Sequence, residues 1–170
     1  MMMKKFMLFG IFFSFLGLVA YAQDVEEVTD EELTKFDNVE VMTSNYVDEK
    51  TEVLRNMILN NEKIDGGARY NEIKAAWGDE AKMAEAKVTD EEKEAFQAVK
   101  DFQDSLQESV KTYKTELIMD DTILGAGTYN KINGAIKEDP ALKAKLDGMI
   151  EVQKEKEAAD KADKVAKGDG

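Results

Sequence analysis

The chain of 170 residues has no cysteine and no histidine, and only one proline and one tryptophan. Without cysteine there is no disulfide, no thiolate nucleophile and no lipid-modified cysteine, so the fold must be held by its core alone. Without histidine the commonest general base is missing, and the two absences together remove nearly all zinc, copper and haem ligation. Serine is sparse as well: beyond Ser14 there are Ser44, Ser105 and Ser109, none in a strained glycine elbow. Two glycine-containing stretches fail as phosphate loops, since GGARYNE lacks the lysine and GAGTYN lacks a preceding strand. Strand-like alternation is scarce, whereas Ala, Glu, Lys, Met and Leu are plentiful, which predicts an all-α protein.

Positive charge is also in short supply, with 23 basic against 36 acidic side chains and a net charge of −13. This balance opposes binding to nucleic acid or anionic lipid, which both need a basic patch, and suits cations or basic partners. Acidic clusters such as Glu26-Glu27, Asp90-Glu91-Glu92 and Asp120-Asp121 read as solvated helix faces, with an acid–base pair as the sharper alternative.

The N-terminus has the pattern of a signal peptide over residues 1–22. Lys4 and Lys5 precede an apolar run of 14 residues, Phe6 to Val19, and Ala20-Tyr21-Ala22 supplies the small-x-small processing site. The run falls short of the roughly 20 apolar residues that span a bilayer. Cleavage before Gln23 is therefore expected, with an uncleaved inner-membrane anchor as the alternative. The mature chain has 148 residues and a net charge of −15. A single domain of that length can bury about 70% of its unfolded surface.

Two short texts occur twice. VTDEELTKF (Val28 to Phe36) returns as VTDEEKEAF (Val88 to Phe96), and YNEI (Tyr70 to Ile73) returns as YNKI (Tyr129 to Ile132). The offsets, 60 and 59, delimit two tandem units, 28–87 and 88–147, with one residue deleted near 119–124 of the second. Each unit opens on a capping box, Thr29 with Glu32 and Thr89 with Glu92, where hydroxyl and carboxylate satisfy the first backbone N–H groups of a helix. A long helix follows in each. In the second, Val99, Phe102, Leu106, Val110, Tyr113 and Leu117 form an apolar stripe at spacings of three and four. Its counterpart is Val39, Met42, Tyr46, Lys50, Val53 and Met57. Lys50 interrupts it, either as a snorkelling side chain or in a buried ion pair.

Gly66-Gly67 in one unit and Gly125 with Gly127 in the other precede a short helix. Tyr70, Ile73 and Trp77, matched by Tyr129, Ile132 and Ile136, give that helix an apolar face to close the end of the long pair. Asn71 and Asn130 beside that face are read as capping the glycine turn, with a ligand role as the alternative. A third helix ends each unit: Asp139 and Pro140 are suited to N-cap and first helical position in one, and Gly78-Asp79 punctuates the other. The whole predicts a helical bundle, 23–149, built from two three-helix repeats that share one core. The charged tail, 150–170, is expected to form an exposed helix or to fray.

The opening VTDEELTKF, the long helix and the closing TYNKINGAIKEDPALKAKL resemble a bacterial exported family known as domain of unknown function 4168. Thr128 to Leu146 is the most specific stretch, with Tyr-Asn-x-Ile followed by Asp-Pro-x-Leu. The sequence departs from the family at ILGAG, and the first unit lacks the Asp-Pro. The resemblance implies export and a helical structure and carries no catalytic residues.

No catalytic, cofactor-binding or metal-ligating residue is nominated. Asn61 to Glu72 matches an EF-hand loop at Asn61, Asp65, Gly66 and Glu72, but Lys63 at the third ligand position repels a cation. An acid-pair enzyme needs one carboxylate kept protonated by apolar burial, and the apolar stripes contain no acid. The expected function is an exported, non-catalytic helical module of the bacterial envelope, periplasmic or secreted, whose partner is another envelope protein or a second copy of itself. The alternatives are a weak divalent-cation-binding protein and an acid-pair hydrolase.

Overall fold

The computed structural model describes residues 27–168, so the signal-peptide reading of residues 1–22 lies outside the described residues. Six helices and no strand make up the described chain: α1 (Asp30–Leu59), α2 (Gly66–Ala76), α3 (Glu80–Glu85), α4 (Asp90–Met119), α5 (Ala126–Glu138) and α6 (Pro140–Gly168). Among the described residues no helix is long and apolar enough to cross a membrane.

Helices α1 and α4 are 30 residues each and start identically. The Thr29 hydroxyl accepts from the Glu32 N–H while the Glu32 carboxylate accepts from the Thr29 N–H, and Thr89 with Glu92 repeats both bonds. The two helices run antiparallel, as the Lys114–Glu40 ion pair and the Tyr46–Tyr113 stack at 4.2 Å require. Each short helix packs where the long helix of its own half ends, which is where the other long helix begins. Phe36 on α1 stacks on Tyr129 of α5 with centroids 5.5 Å apart, and Phe96 on α4 meets Tyr70 of α2 at 5.1 Å. The two recurring sequence texts therefore touch each other crosswise.

The structure differs from the expected single core. One cluster gathers Leu33, Phe36, Val39, Leu117, Leu124, Ile132 and Leu146; a second, at the other end of the long pair, gathers Ile64, Tyr70, Ile73, Ala95, Phe96 and Val99. Between them the apolar stripe of α1 is half open, with Met42 and Val53 each 38% exposed. Two helices alone bury only a narrow seam, and a third covers them only towards each end. Lys50 sits in this open middle with its ammonium 4.8 Å from the Tyr46 ring centroid, a snorkelling arrangement strengthened by cation–π attraction and not a buried ion pair.

Each cluster is clamped by a basic side chain on a capping-box glutamate. Arg69 of α2 grips Glu92 through Nε (2.5 Å) and Nη2 (2.8 Å), and also donates to Glu72 and to the carbonyls of Ala86 and Lys87. At the other end Lys131 of α5 places its ammonium 2.9 Å from both oxygens of Glu32. The Arg69 bonds hold the Glu92 carboxyl down to about 2. Glu32 is also lowered, first by the Thr29 N–H and then by Lys131.

The third helices are unequal. Asp79 caps α3 and Asp139 caps α6, each accepting from two N–H groups, but α3 ends after six residues and α6 continues for 29. Helix α6 runs parallel to α1, tied by Lys145–Asp30, Gln153–Asn38 and Asn45–Glu157. Part of the segment read as a charged tail is thus docked on the bundle.

Candidate functional site

The sequence-level candidates do not assemble a site. In the 61–72 stretch the chain is already helical from Gly66, so the second half of an EF-hand loop is wound into α2. Asn61 spends its Oδ1 on the N–H groups of Lys63 and Ile64, and Glu72 is paired to Arg69 at 2.7 Å. No group of three or more acidic side chains placed to hold a metal ion occurs among the described residues. Asn71 and Asn130 are exposed, and the helix starts at Asp65 and Gly125 have no side-chain cap. Asn61 and Asp120, whose oxygens accept backbone N–H groups just after the long helices, shape these connections instead. Gly66 and Gly125 serve by conformation, at φ +69° and +82°.

The structure shows one polar group that the sequence reading missed. Asp37 on α1 is 4% exposed, and its Oδ1 is fully buried with no hydrogen-bond partner. The cause is local. Leu33, Asp37 and Val41 follow at one-turn spacing, and all three are buried on the stretch of α1 that α6 accompanies. Asp37 therefore sits in an apolar row, although that row is not the α1–α4 seam that the periodicity singled out. An acid with apolar neighbours four residues to either side was the signal available.

Asp37 contributes to the wall of an open groove of about 810 Å³ whose other wall is α6, including Met149, Val152, Gln153, Lys156 and Glu157. Burial, and secondarily the Glu157 carboxylate, push the Asp37 carboxyl above the ordinary aspartate range. Neither lysine of the groove neutralises it: Lys145 gives its ammonium to Asp30 at 2.5 Å, and Lys156 is exposed. Val152, on the same groove, is 66% exposed. Apolar wall, like-charged neighbour and unpaired carboxylate oxygen together make a place that favours a cation carrying an aliphatic stem. A second groove, of about 690 Å³, lies near the far ends of α1 and α4 beside Val53, Met57 and Ala98, and has no buried unpaired polar atom.

No family model matches the chain, and no curated protein or solved structure is significantly similar to it.

Proposed function

We propose that the protein is an exported, non-catalytic helical module that binds a basic protein in the bacterial envelope, periplasmic or secreted. One observation carries the reading: an acidic bundle holds, in the wall of an open groove, a buried aspartate with one unpartnered carboxylate oxygen. Leaving such an oxygen without a donor is unfavourable by about 1–3 kcal/mol, and a cation held against the groove wall offsets the buried charge. The signal-like residues 1–22 and the resemblance to domain of unknown function 4168 support the address. The tandem-repeat reading belongs to the same proposal. Identical capping boxes, crosswise Phe–Tyr pairs and left-handed glycines at matched places are what duplication of a helical unit leaves behind. From Asn60 to Gly66 the first connection has five intervening residues and from Asp120 to Gly125 the second has four, where the deleted residue was expected.

Cross-linking in the native envelope followed by mass spectrometry tests the reading. Cross-links from Lys145 or Lys156 to lysine- and arginine-rich segments of another protein, lost at high salt, are expected. A protein that never associates with anything but its own copies contradicts it.

A second reading has one observation in its favour. Asp37 raised by burial, with Glu157 close by, is the kind of unequal pair that acid–base hydrolysis uses. It requires an envelope hydrolytic activity that disappears in Asp37→Asn, whereas the binding reading requires loss of the partner with no change in turnover.

A further inference from the structure

The geometry points to a specific occupant for the α1–α6 groove: we propose that it receives a single arginine side chain of the partner, its guanidinium against Asp37 and Glu157 and its stem along Met149 and Val152. This rests on the binding-module reading and narrows it to one side chain. A divalent metal ion fits poorly, because calcium takes six to eight oxygen ligands and magnesium a full octahedron. The groove has three acids, Asp37, Glu157 and Asp160, but they are not grouped to hold a metal ion, and Glu157 already accepts from Asn45 through Oε2 at 2.5 Å. A guanidinium needs fewer oxygens. Its planar fork suits two carboxylates on adjacent helices, and it is more weakly hydrated than an ammonium, so it enters a half-buried site more readily. The walls agree with this choice. Met149 packs against the neighbouring core with part of its side chain open, and Val152 is 66% exposed beside it, which leaves apolar surface for an alkyl stem to cover. Anions are disfavoured by the same carboxylates. Two lysines of the groove could compete for them, but Lys145 is paired with Asp30 and Lys156 is exposed to water.

Nuclear magnetic resonance titration of the isotopically labelled full chain with butylguanidinium chloride reads the site directly, with potassium chloride and butylammonium chloride as controls at equal ionic strength. Saturable shifts confined to the amides of Asp37, Gly148, Val152 and Gln153 are expected, with a dissociation constant in the millimolar range. Asp37→Asn should weaken binding at least tenfold and Glu157→Gln by a smaller factor, whereas Glu108→Gln, a 73% exposed acid on α4, should leave it within twofold. The proposal is overturned if potassium chloride gives the same shifts, if Asp37→Asn binds within twofold of the parent, or if calcium displaces the probe at lower concentration. Equal binding of butylammonium overturns the assignment to arginine. A groove blind to the probe leaves any cross-linked partner standing, so this inference can fail without the binding-module reading failing with it.

Discussion

Helices α1 and α4 share a length and a capping box, yet one row of side chains sets them apart. On α1 the row is Leu33, Asp37, Val41, all buried; on α4 the residues 60 positions later are Lys93, Gln97 and Asp101. Those three make only surface bonds within their own helix, Lys93 to Asp90 and Gln97 to Asp101. The apolar row on α1 is accompanied by a third long helix, α6, whereas the short α3 packs on α2 and leaves the polar row of α4 to solvent. The two positions that are apolar on α1 and polar on α4 add a buried leucine and valine on the stretch that α6 accompanies, each contributing about 1.5–3 kcal/mol. Between them α1 has Asp37 where α4 has Gln97, and that acid is buried. The same frame yields two ends with grooves, and only the one beside α6 has a buried acid in its wall.

Separating the two halves should have the largest effect. A fragment of residues 88–147 keeps Phe96 and Tyr129 but loses their partners Tyr70 and Phe36, and each core cluster loses three of its buried residues. Heating it should show no cooperative transition, whereas a sharp two-state melt would mean that each half folds alone. Next comes the row itself. Leu33→Ala should destabilise the chain by about 3 kcal/mol and Lys93→Ala by less than about 0.5 kcal/mol, measured by urea unfolding. Equal effects would erase the distinction between α1 and α4.

The two clamps sharpen the comparison at a smaller scale. Arg69→Ala strands a Glu92 side chain that is 12% exposed and removes donors from two carbonyls, so a loss of about 3 kcal/mol is expected, against about 1 kcal/mol for Lys131→Ala. The pH dependence follows from Glu92. Its folded value of about 2 lies below the unfolded value, so its contribution is fully present above about pH 4.5 and is lost as pH falls towards 2. Arg69→Ala should flatten that acid limb of the stability curve; an unchanged limb would place the acid sensitivity elsewhere.

Much of the fold was legible in the sequence. Thr-x-x-Glu at residues 29–32 and 89–92, and Asp139-Pro140, mark helix starts by chemistry that is local, and the structure places α1, α4 and α6 there. The crosswise docking was not legible, because recurring text says which pieces match and not which copy each touches. Docking of the segment beyond Met149 was hidden by its composition: EVQKEKE reads as solvated, and its attachment uses Gln153 and Glu157 bonds to Asn38 and Asn45. Asp37 escaped because the stripe through Val39 describes the α1–α4 seam, and a helix touched by several neighbours buries more than one row. A periodicity read for one face misses the acid on the next.

Asp37 also gives the most direct test. Its folded carboxyl lies above the unfolded value, so the group favours folding at low pH, and that advantage is lost as pH rises through its raised range. Asp37→Asn should therefore stabilise the chain at neutral pH, on the order of 1 kcal/mol, by removing an unpaired buried charge. Carbon-detected magnetic resonance of the Asp37 carboxyl across a pH titration follows this one group. A midpoint above the usual aspartate value of about 3.9, moving down in Glu157→Gln, is expected if α6 lies over the Leu33–Asp37–Val41 row. A midpoint at or below 3.9, unmoved by Glu157→Gln, would contradict it.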